Sequence, residues 1–397
     1  MKSQNALKAH KEAKATDGWE QGMSDTSAPT KTISDFEAKL NEADKNVASF
    51  EIDDNTPIAR IRAYLGSNPT AIPTIILIFS VLAFGAVAHN FMSASTLSTI
   101  LKQVTVTGIV AIAQTIIILT AGIDLSVGAI LVISAMVMGR FATLGVTFSI
   151  PFLGYTLFSI PPMPLLIVIP CGILIGTLMG TFNGLLVTKA RIPPFIVTLG
   201  TLYIFNSLKL WYTGSESVRN ADLEEKAVGL LWFGKTLNFG SAAVIYGTFA
   251  MLVLAFVAWY LLNRTAWGRH VHAVGDDPDA AMLSGIQIDK TLISVYALAG
   301  LICGIGAWIA IGRVQSISPI AFETVNLDSI TAVVIGGTSL FGGRASIAGS
   351  VLGAIIVGVF NTGLSLAGVD SYWQLFASGC LTIIAVAIDQ WLRRASK

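Results

Sequence analysis

The chain has 397 residues, 53% of them hydrophobic and only 12% charged, with a net charge of +1. A soluble domain carries roughly 25% charged residues, so this composition excludes an ordinary soluble globule. A near-zero balance leaves no electrostatic footprint for nucleic acid and none for long-range steering of a large charged partner.

The first 67 residues mix Lys, Asp, Glu, Ser and Thr with few aromatics. Such a stretch buries too little surface to fold alone, so 1–67 is expected to be a disordered polar tail. Short helices are conceivable over 34–40 and 41–50, with a membrane-surface segment over 58–65. The first apolar run starts too far into the chain for a signal peptide. From residue 68 to the end the chain reads as one membrane domain. Apolar segments of about 20 residues, the length a bilayer core requires, centre near Ser80, Ala113, Ala135, Ile175, Tyr203, Leu252, Gly300, Val334, Ile355 and Ile384. The expected fold is therefore an all-α polytopic membrane protein of about ten transmembrane helices.

With the N-terminus inside, the loops on the cytoplasmic side hold nine Lys and Arg and those outside hold five. The positive-inside rule then places both termini in the cytoplasm. The uncharged connection 146–163 suits an external or re-entrant loop. The longest external loop, 213–240, carries Glu216, Arg219, Asp222, Glu224, Glu225 and Lys226, and is the best surface for an extracytoplasmic partner.

The fourth and ninth segments share a pattern. An offset of 178 pairs Gly180 with Gly358, Phe182 with Phe360, Asn183 with Asn361 and Leu186 with Leu364. Five spans separate the copies, and an odd number inverts the second, a plan that puts a transport pathway at the repeat interface. Gly172, Gly176, Gly180 and Gly184, every fourth residue, read as a helix-packing stripe, as do Gly349, Gly353 and Gly358.

Polar groups inside a membrane are costly and usually face the bundle interior or a pathway. Here the midspan polar groups read as neutral: Gln114, Thr115, Asn183, Asn206, Ser207, Thr331 and Asn361. Neutral amides suit an uncharged polyhydroxylated solute. A scarcity of midspan carboxylates weighs against an ion-coupled carrier. For each amide a helix–helix hydrogen bond is the plainer reading; the repeat lifts Asn183 and Asn361 above it. Asp124, in the run T-A-G-I-D-L-S-V-G from Thr120, either caps the following helix, as Ser126 also can, or belongs to a broken-helix site. Its counterpart in the second half is I-G-G-T-S-L-F-G-G from Ile335. That run lacks the G-K-[ST] of a phosphate-binding loop, so the chain is not read as an enzyme. No cofactor is expected. The four histidines and three cysteines show no metal-ligand spacing, and Cys171, Cys303 and Cys380 read as small buried hydrophobes.

The longest internal loop contains G-D-D-P-D-A-A-M-L-S-G from Gly275. Asp276, Asp277 and Asp279 suit a helix N-terminus, with Pro278 tolerated in the first turn. Ala280, Ala281, Met282 and Leu283 continue the helix, and Ser284–Gly285 stop it. A short amphipathic helix under the membrane could receive a cytoplasmic motor subunit, though an ordinary structured loop accounts for it equally well.

Four motifs together carry a resemblance: T-A-G-I-D-L-S-V-G-A-I; G-T-F-N-G-L-L-V followed by K-A-R-I-P-P-F-I-V-T-L-G-T; A-V-G-D-D-P-D-A-A-M-L-S-G-I; and V-V-I-G-G-T-S-L-F-G-G-R. Over roughly residues 60–394 the chain resembles the membrane permease subunit of bacterial ribose/xylose/fructose-type ABC importers. The resemblance implies an inner-membrane homodimer in contact with lipid. It implies a cytoplasmic ABC ATPase subunit that hydrolyses ATP in place of this chain, and a periplasmic sugar-binding protein. It makes Gly275 to Gly285 the segment touching the ATPase. The pathway would be lined by neutral polar groups and aromatics, with Gln114, Asp124, Phe182, Asn183, Asn206, Phe360 and Asn361 as candidates. Fructose, ribose and xylose lead as solutes. An ABC permease for a nucleoside, a signalling sugar or a branched-chain amino acid stays open, as does a self-sufficient secondary transporter or, less readily, a scaffold that transports nothing.

Overall fold

The computed structural model describes residues 70–150 and 155–395. The expected tail over 1–67, with its short helices and surface segment, lies outside these residues. In chain order the helices are α1 (Ala71–Val87), α2 (Ala94–Leu119), α3 (Val127–Thr143), α4 (Leu165–Thr188), α5 (Pro194–Thr213), α6 (Asn220–Lys226), α7 (Tyr246–Arg264), α8 (Ala266–Asp276), α9 (Pro278–Leu283), α10 (Ile288–Val314), α11 (Val325–Ile335), α12 (Ile347–Leu366) and α13 (Ser371–Ala395). Each of the ten expected span centres falls in a separate helix. Five of these, α2, α4, α7, α10 and α12, are long and apolar enough to cross a bilayer by themselves, while α1, α3 and α11 are apolar but shorter. The protein is all-α and polytopic.

Local signals explain the boundaries. Ser93 opens α2 by accepting the Thr96 N–H at 3.2 Å, and Ser346 opens α12 by accepting that of Gly349 at 3.0 Å. Pro194 occupies the first position of α5, where its missing N–H costs nothing. At the far end of α5, Gly214 turns left-handed at φ +59°.

Helix α2 is buried for most of its length and forms the centre, with α3, α7, α10, α11 and α12 packed around it. The glycine stripe of α4 lies on α10: a Cβ at Gly180 would stand 2.2 Å from the Tyr296 carbonyl oxygen, and one at Gly176 would stand 2.6 Å from that of Gly300. These glycines let two backbones touch, as their four-residue spacing predicts. Phe79, Leu166, Phe256 and Phe376 point outward, an apolar rim of the kind a bilayer covers.

Helix pairing follows the internal repeat, which matches α1 to α5 with α7, α10, α11, α12 and α13. Contacts α3–α4, α4–α10, α3–α10 and α3–α5 recur as α11–α12, α12–α2, α11–α2 and α11–α13. Equivalent residues nevertheless differ in surroundings: Gly180 abuts α10 backbone, whereas Gly358 abuts the Val104 and Ile100 side chains of α2.

Two hairpins were not foreseen. Val146–Ile150 (β1) pairs antiparallel with Tyr155–Ile160 (β2), in the uncharged connection. Thr236–Phe239 (β3) pairs with Ala242–Ile245 (β4), at the end of the charged loop. The rest of that loop is α6 and a 3-10 turn, Val228–Gly234. Arg140, in the last turn of α3, donates to the Thr213 carbonyl at 2.8 Å, and Val218 bridges Ile317. These contacts gather the ends of α3, α5 and α10 at one face of the bundle.

Candidate functional site

At the opposite face, the α2–α3 turn meets α4. Asp124 is 1% exposed. Its Oδ1 accepts the Ser126 backbone N–H at 2.6 Å and the Ser126 hydroxyl at 2.7 Å. Asn183 Nδ2 donates to Ser126 Oγ at 2.8 Å and to Asp124 Oδ2 at 3.3 Å. A buried carboxylate is tolerated only when hydrogen-bonded, and these donors supply that. Ser126 precedes α3, yet its side chain makes no capping bond and turns to Asp124 and Asn183 instead. The Tyr296 hydroxyl is buried beside this group with no hydrogen-bond partner among the described residues, as is Asn183 Oδ1.

The same turn is joined to the expected ATPase-facing segment. The Gly343 N–H donates to the Leu119 carbonyl at 3.0 Å. A Cβ at Gly275 would lie 1.9 Å from that carbonyl oxygen, and one at Gly342 would lie 2.4 Å from the Gly275 oxygen and 3.0 Å from the Ala121 nitrogen. Three backbones therefore come into direct contact, the end of α2, the end of α8 and the α11–α12 loop, with the Ala121 methyl and the Asp276 and His272 side chains at the margin. The two glycine-containing loops that the sequence set in parallel, after Thr120 and after Ile335, touch here.

Beyond this junction the chain forms the short helix expected of it. Asp277 Oδ1 accepts the N–H groups of Asp279 at 2.9 Å and Ala280 at 3.1 Å, and Pro278 opens α9. The helix closes through Ser284 to Gly285 at φ +84°, with Ile286 N–H returning to the Ala281 carbonyl at 3.1 Å. Asp276 ends α8 beside Gly343. Ala281 is buried, but Met282 and Leu283 stand out, the latter 87% exposed. Two apolar side chains thus project from a helix whose other face is anchored.

Among the described residues, two polar-lined cavities between helices hold pathway candidates. The larger, about 570 Å³, is lined by polar side chains of α2, α11, α12 and α13, among them Gln103, Asp328, Asn361, Gln374 and Thr382. In it Asn361 Oδ1 accepts from the Ser378 hydroxyl at 3.2 Å, and Gln103 Oε1 accepts from Thr362 at 3.1 Å. The smaller, about 300 Å³, lies between α3, α5 and the segment before α11, and Asn206 lines it.

The seven pathway candidates thus fall into four groups. Asn206 and Asn361 each line a cavity, and Asp124 and Asn183 share one buried network. Gln114 is buried in α2 with neither side-chain polar atom hydrogen-bonded among the described residues. Phe182 is exposed on α4, while Phe360 packs edge-on against Phe84 at 5.6 Å between ring centroids. Sequence reasoning missed Lys209. It took the midspan groups to be neutral, yet Lys209 is only 5% exposed and lines the Asn206 cavity one helical turn further on. The signal was present: Leu202, Asn206, Lys209 and Leu210 recur at the spacing of one helix face.

An all-helical polytopic bundle with polar cavities among its spans and an anchored apolar elbow at one end defines a membrane permease. The chain belongs to the family described as branched-chain amino acid transport system / permease component, whose model matches residues 96–386. It is 47% identical to the fructose import permease protein FrcC of Rhizobium meliloti over 375 residues, 94% of this chain and 100% of that protein. Identity to the ribose import permease protein RbsC of Bacillus subtilis is 37%, covering 80% of this chain and 92% of the relative. To the D-allose transport system permease protein AlsC of Escherichia coli it is 32%, over 80% and 91%. No solved structure matches the chain.

Proposed function

We propose that this chain is the membrane-spanning permease subunit of an ABC importer and translocates a monosaccharide, with fructose the first candidate. The observation that carries the reading is the match along the whole length of a fructose import permease protein. The geometry supports it. The apolar tip of α9 offers a cytoplasmic ATPase subunit something to push, and the cavities, which add Asp328 in one and Lys209 and Glu323 in the other to their amides and hydroxyls, offer an uncharged polyol both donors and acceptors.

In this reading both termini are cytoplasmic and the membrane is the bacterial inner membrane. The face built from the two hairpins and residues 213–240 receives a periplasmic sugar-binding protein. Two copies of the chain rock against each other as the ATPase closes, and the sugar passes along polar groups such as those at Asn206 and Asn361. Residues 68–397 make up the permease domain, with 1–67 a cytoplasmic extension. Catalysis belongs to the partner.

The test is purification of the tagged chain in mild detergent from its native membrane, followed by identification of co-purifying proteins. A stoichiometric ATPase with a phosphate-binding loop is the expected result. Its reproducible absence, under conditions that preserve a known importer complex, would overturn the ABC assignment in favour of a self-sufficient carrier.

A further inference from the structure

Between α10 and α11 the chain leaves the helical regime inside the bundle. Ile317 is against α3 at Gly139, and Asn326 is against α3 at Gly128. Those glycines are about 17 Å apart along the helix, so residues 317–326 run beside α3 for most of its length. None of residues 315–324 is helical, and Phe322 takes φ +59°, an unusual conformation for a bulky residue. Irregular backbone at membrane depth persists only where it is packed in protein or lines a water-filled cavity. Here it lines one: Ile320, Ala321, Phe322 and Glu323 form a wall of the 300 Å³ cavity, opposite Asn206 and Lys209 of α5 and Gly128, Ala129 and Val132 of α3.

Lys209 is buried on the facing side. No hydrogen bond or ion pair reaches its ammonium group among the described residues, and Glu323 lines the same cavity. The Asn326 side chain is likewise buried and unpaired there. Gly128 of α3 leaves room for this amide at the cavity edge, since a Cβ there would meet Asn326 Oδ1 at 2.0 Å.

We infer that this cavity is a station for one neutral polyhydroxylated solute, held by Lys209, Glu323, Asn206 and Asn326; the inference rests on the sugar-import reading. An ammonium only donates, a carboxylate only accepts, and an amide does both. A solute bridging them must accept at one point and donate at another, as hydroxyls on adjacent carbons do. A cation would meet Lys209 and an anion Glu323. The volume is at the small end of ligand pockets and admits one monosaccharide. Lys209 is then a specificity-determining residue.

The test uses cells carrying the intact importer. Uptake of D-fructose, D-ribose, D-allose and D-galactose is measured for the native chain and for Lys209→Met and Asn326→Leu, at matched amounts of inserted permease. The expected result is about a tenfold or greater loss of uptake, the scale of a lost hydrogen bond to a charged group, with a changed ranking among the sugars. In addition, Ala321→Cys, in the cavity wall but outside the four holding groups, is introduced with Cys171, Cys303 and Cys380 replaced by Ala. The imported sugar is expected to slow labelling of the introduced thiol by a small hydrophilic reagent at least threefold, and Lys209→Met to abolish that protection. Sugar uptake by the native chain combined with normal uptake by both variants, an equal loss for every sugar, or no protection of the thiol would overturn the station and leave the sugar reading intact. Protection by a branched-chain amino acid instead of a sugar would overturn the polyol assignment. A native chain importing none of the four sugars would overturn the proposed function and the station with it.

Discussion

Asn183 and Asn361 are partners in the sequence repeat, yet they occupy different chemical settings. Asn183 supplies donors to a buried Asp124–Ser126 pair, whereas Asn361 lines an open cavity. Asn183→Leu removes a hydrogen bond from a buried carboxylate, a loss of about 1.5–3 kcal/mol. It is expected to lower the unfolding temperature of the detergent-purified chain. Asn361→Leu should leave that temperature nearly unchanged and instead slow uptake. Equal thermal losses in the two variants would show that both amides serve packing. The amide pair was legible in the sequence because chemistry and spacing repeat. Its divided roles were not, because they depend on which helix each copy faces. Lys209 was passed over for a related reason: a lysine next to Trp211 and Tyr212 reads as a residue reaching for the membrane surface. Only the chain folded back over it reveals its burial.

At the scale of elements, α9 was the most legible piece. Its start, body and stop are written in consecutive residues, and the local bonds follow them. Replacing both Ala280 and Ala281 with bulky charged residues is expected to abolish uptake. Because Ala281 is buried, that change also disturbs the seating of α9, and Leu283→Asp is the cleaner variant. It alters only the projecting tip and should cut uptake at least tenfold while the chain inserts normally; unimpaired uptake would remove α9 from the coupling role. Gly180→Leu should act otherwise. With the Tyr296 carbonyl 2.2 Å from any Cβ at that position, α4 must part from α10, and the yield of folded protein should fall sharply. The ten span centres were readable because apolar length is a strong signal. The hairpins were passed over although each is local: β1 and β2 are neighbours in sequence, and β3 and β4 are joined by the two residues Gly240 and Ser241, a pairing of residue types that favours a hairpin turn. The shortness of α11 was also hidden, because apolar residues continue on either side of its true start.

For the whole molecule, the rim of outward Phe and Leu side chains and the recurrence of helix pairings across the two halves agree with a pathway between halves. Fold and family were legible because apolar segments recur from residue 71 almost to the end and four motifs are spread between Thr120 and Arg344. The solute was less so, because cavity shape arises from irregular backbone that no periodicity announces. If the two halves move against each other, the larger cavity should change its access during the cycle. A cysteine in place of Gln374, at that cavity, is expected to label at different rates with ATP trapped on the partner and without nucleotide. Identical rates would place the motion elsewhere.

The meeting of Gly275, Gly342 and the Leu119 carbonyl has a mechanical consequence. Where side chains separate two elements, their rotamers act as springs, and part of any displacement is spent in rearranging them. A joint of backbone on backbone, edged only by Ala121, Asp276 and His272, has few such springs. Under the proposed coupling role, a tilt imposed on α8 would reach the end of α2, and through the Asp124 turn α4, with little slack. Stroke length at the pathway would then depend on the geometry of this joint, and even Gly275→Ala should loosen the gearing, so that the partner hydrolyses more ATP for each sugar delivered.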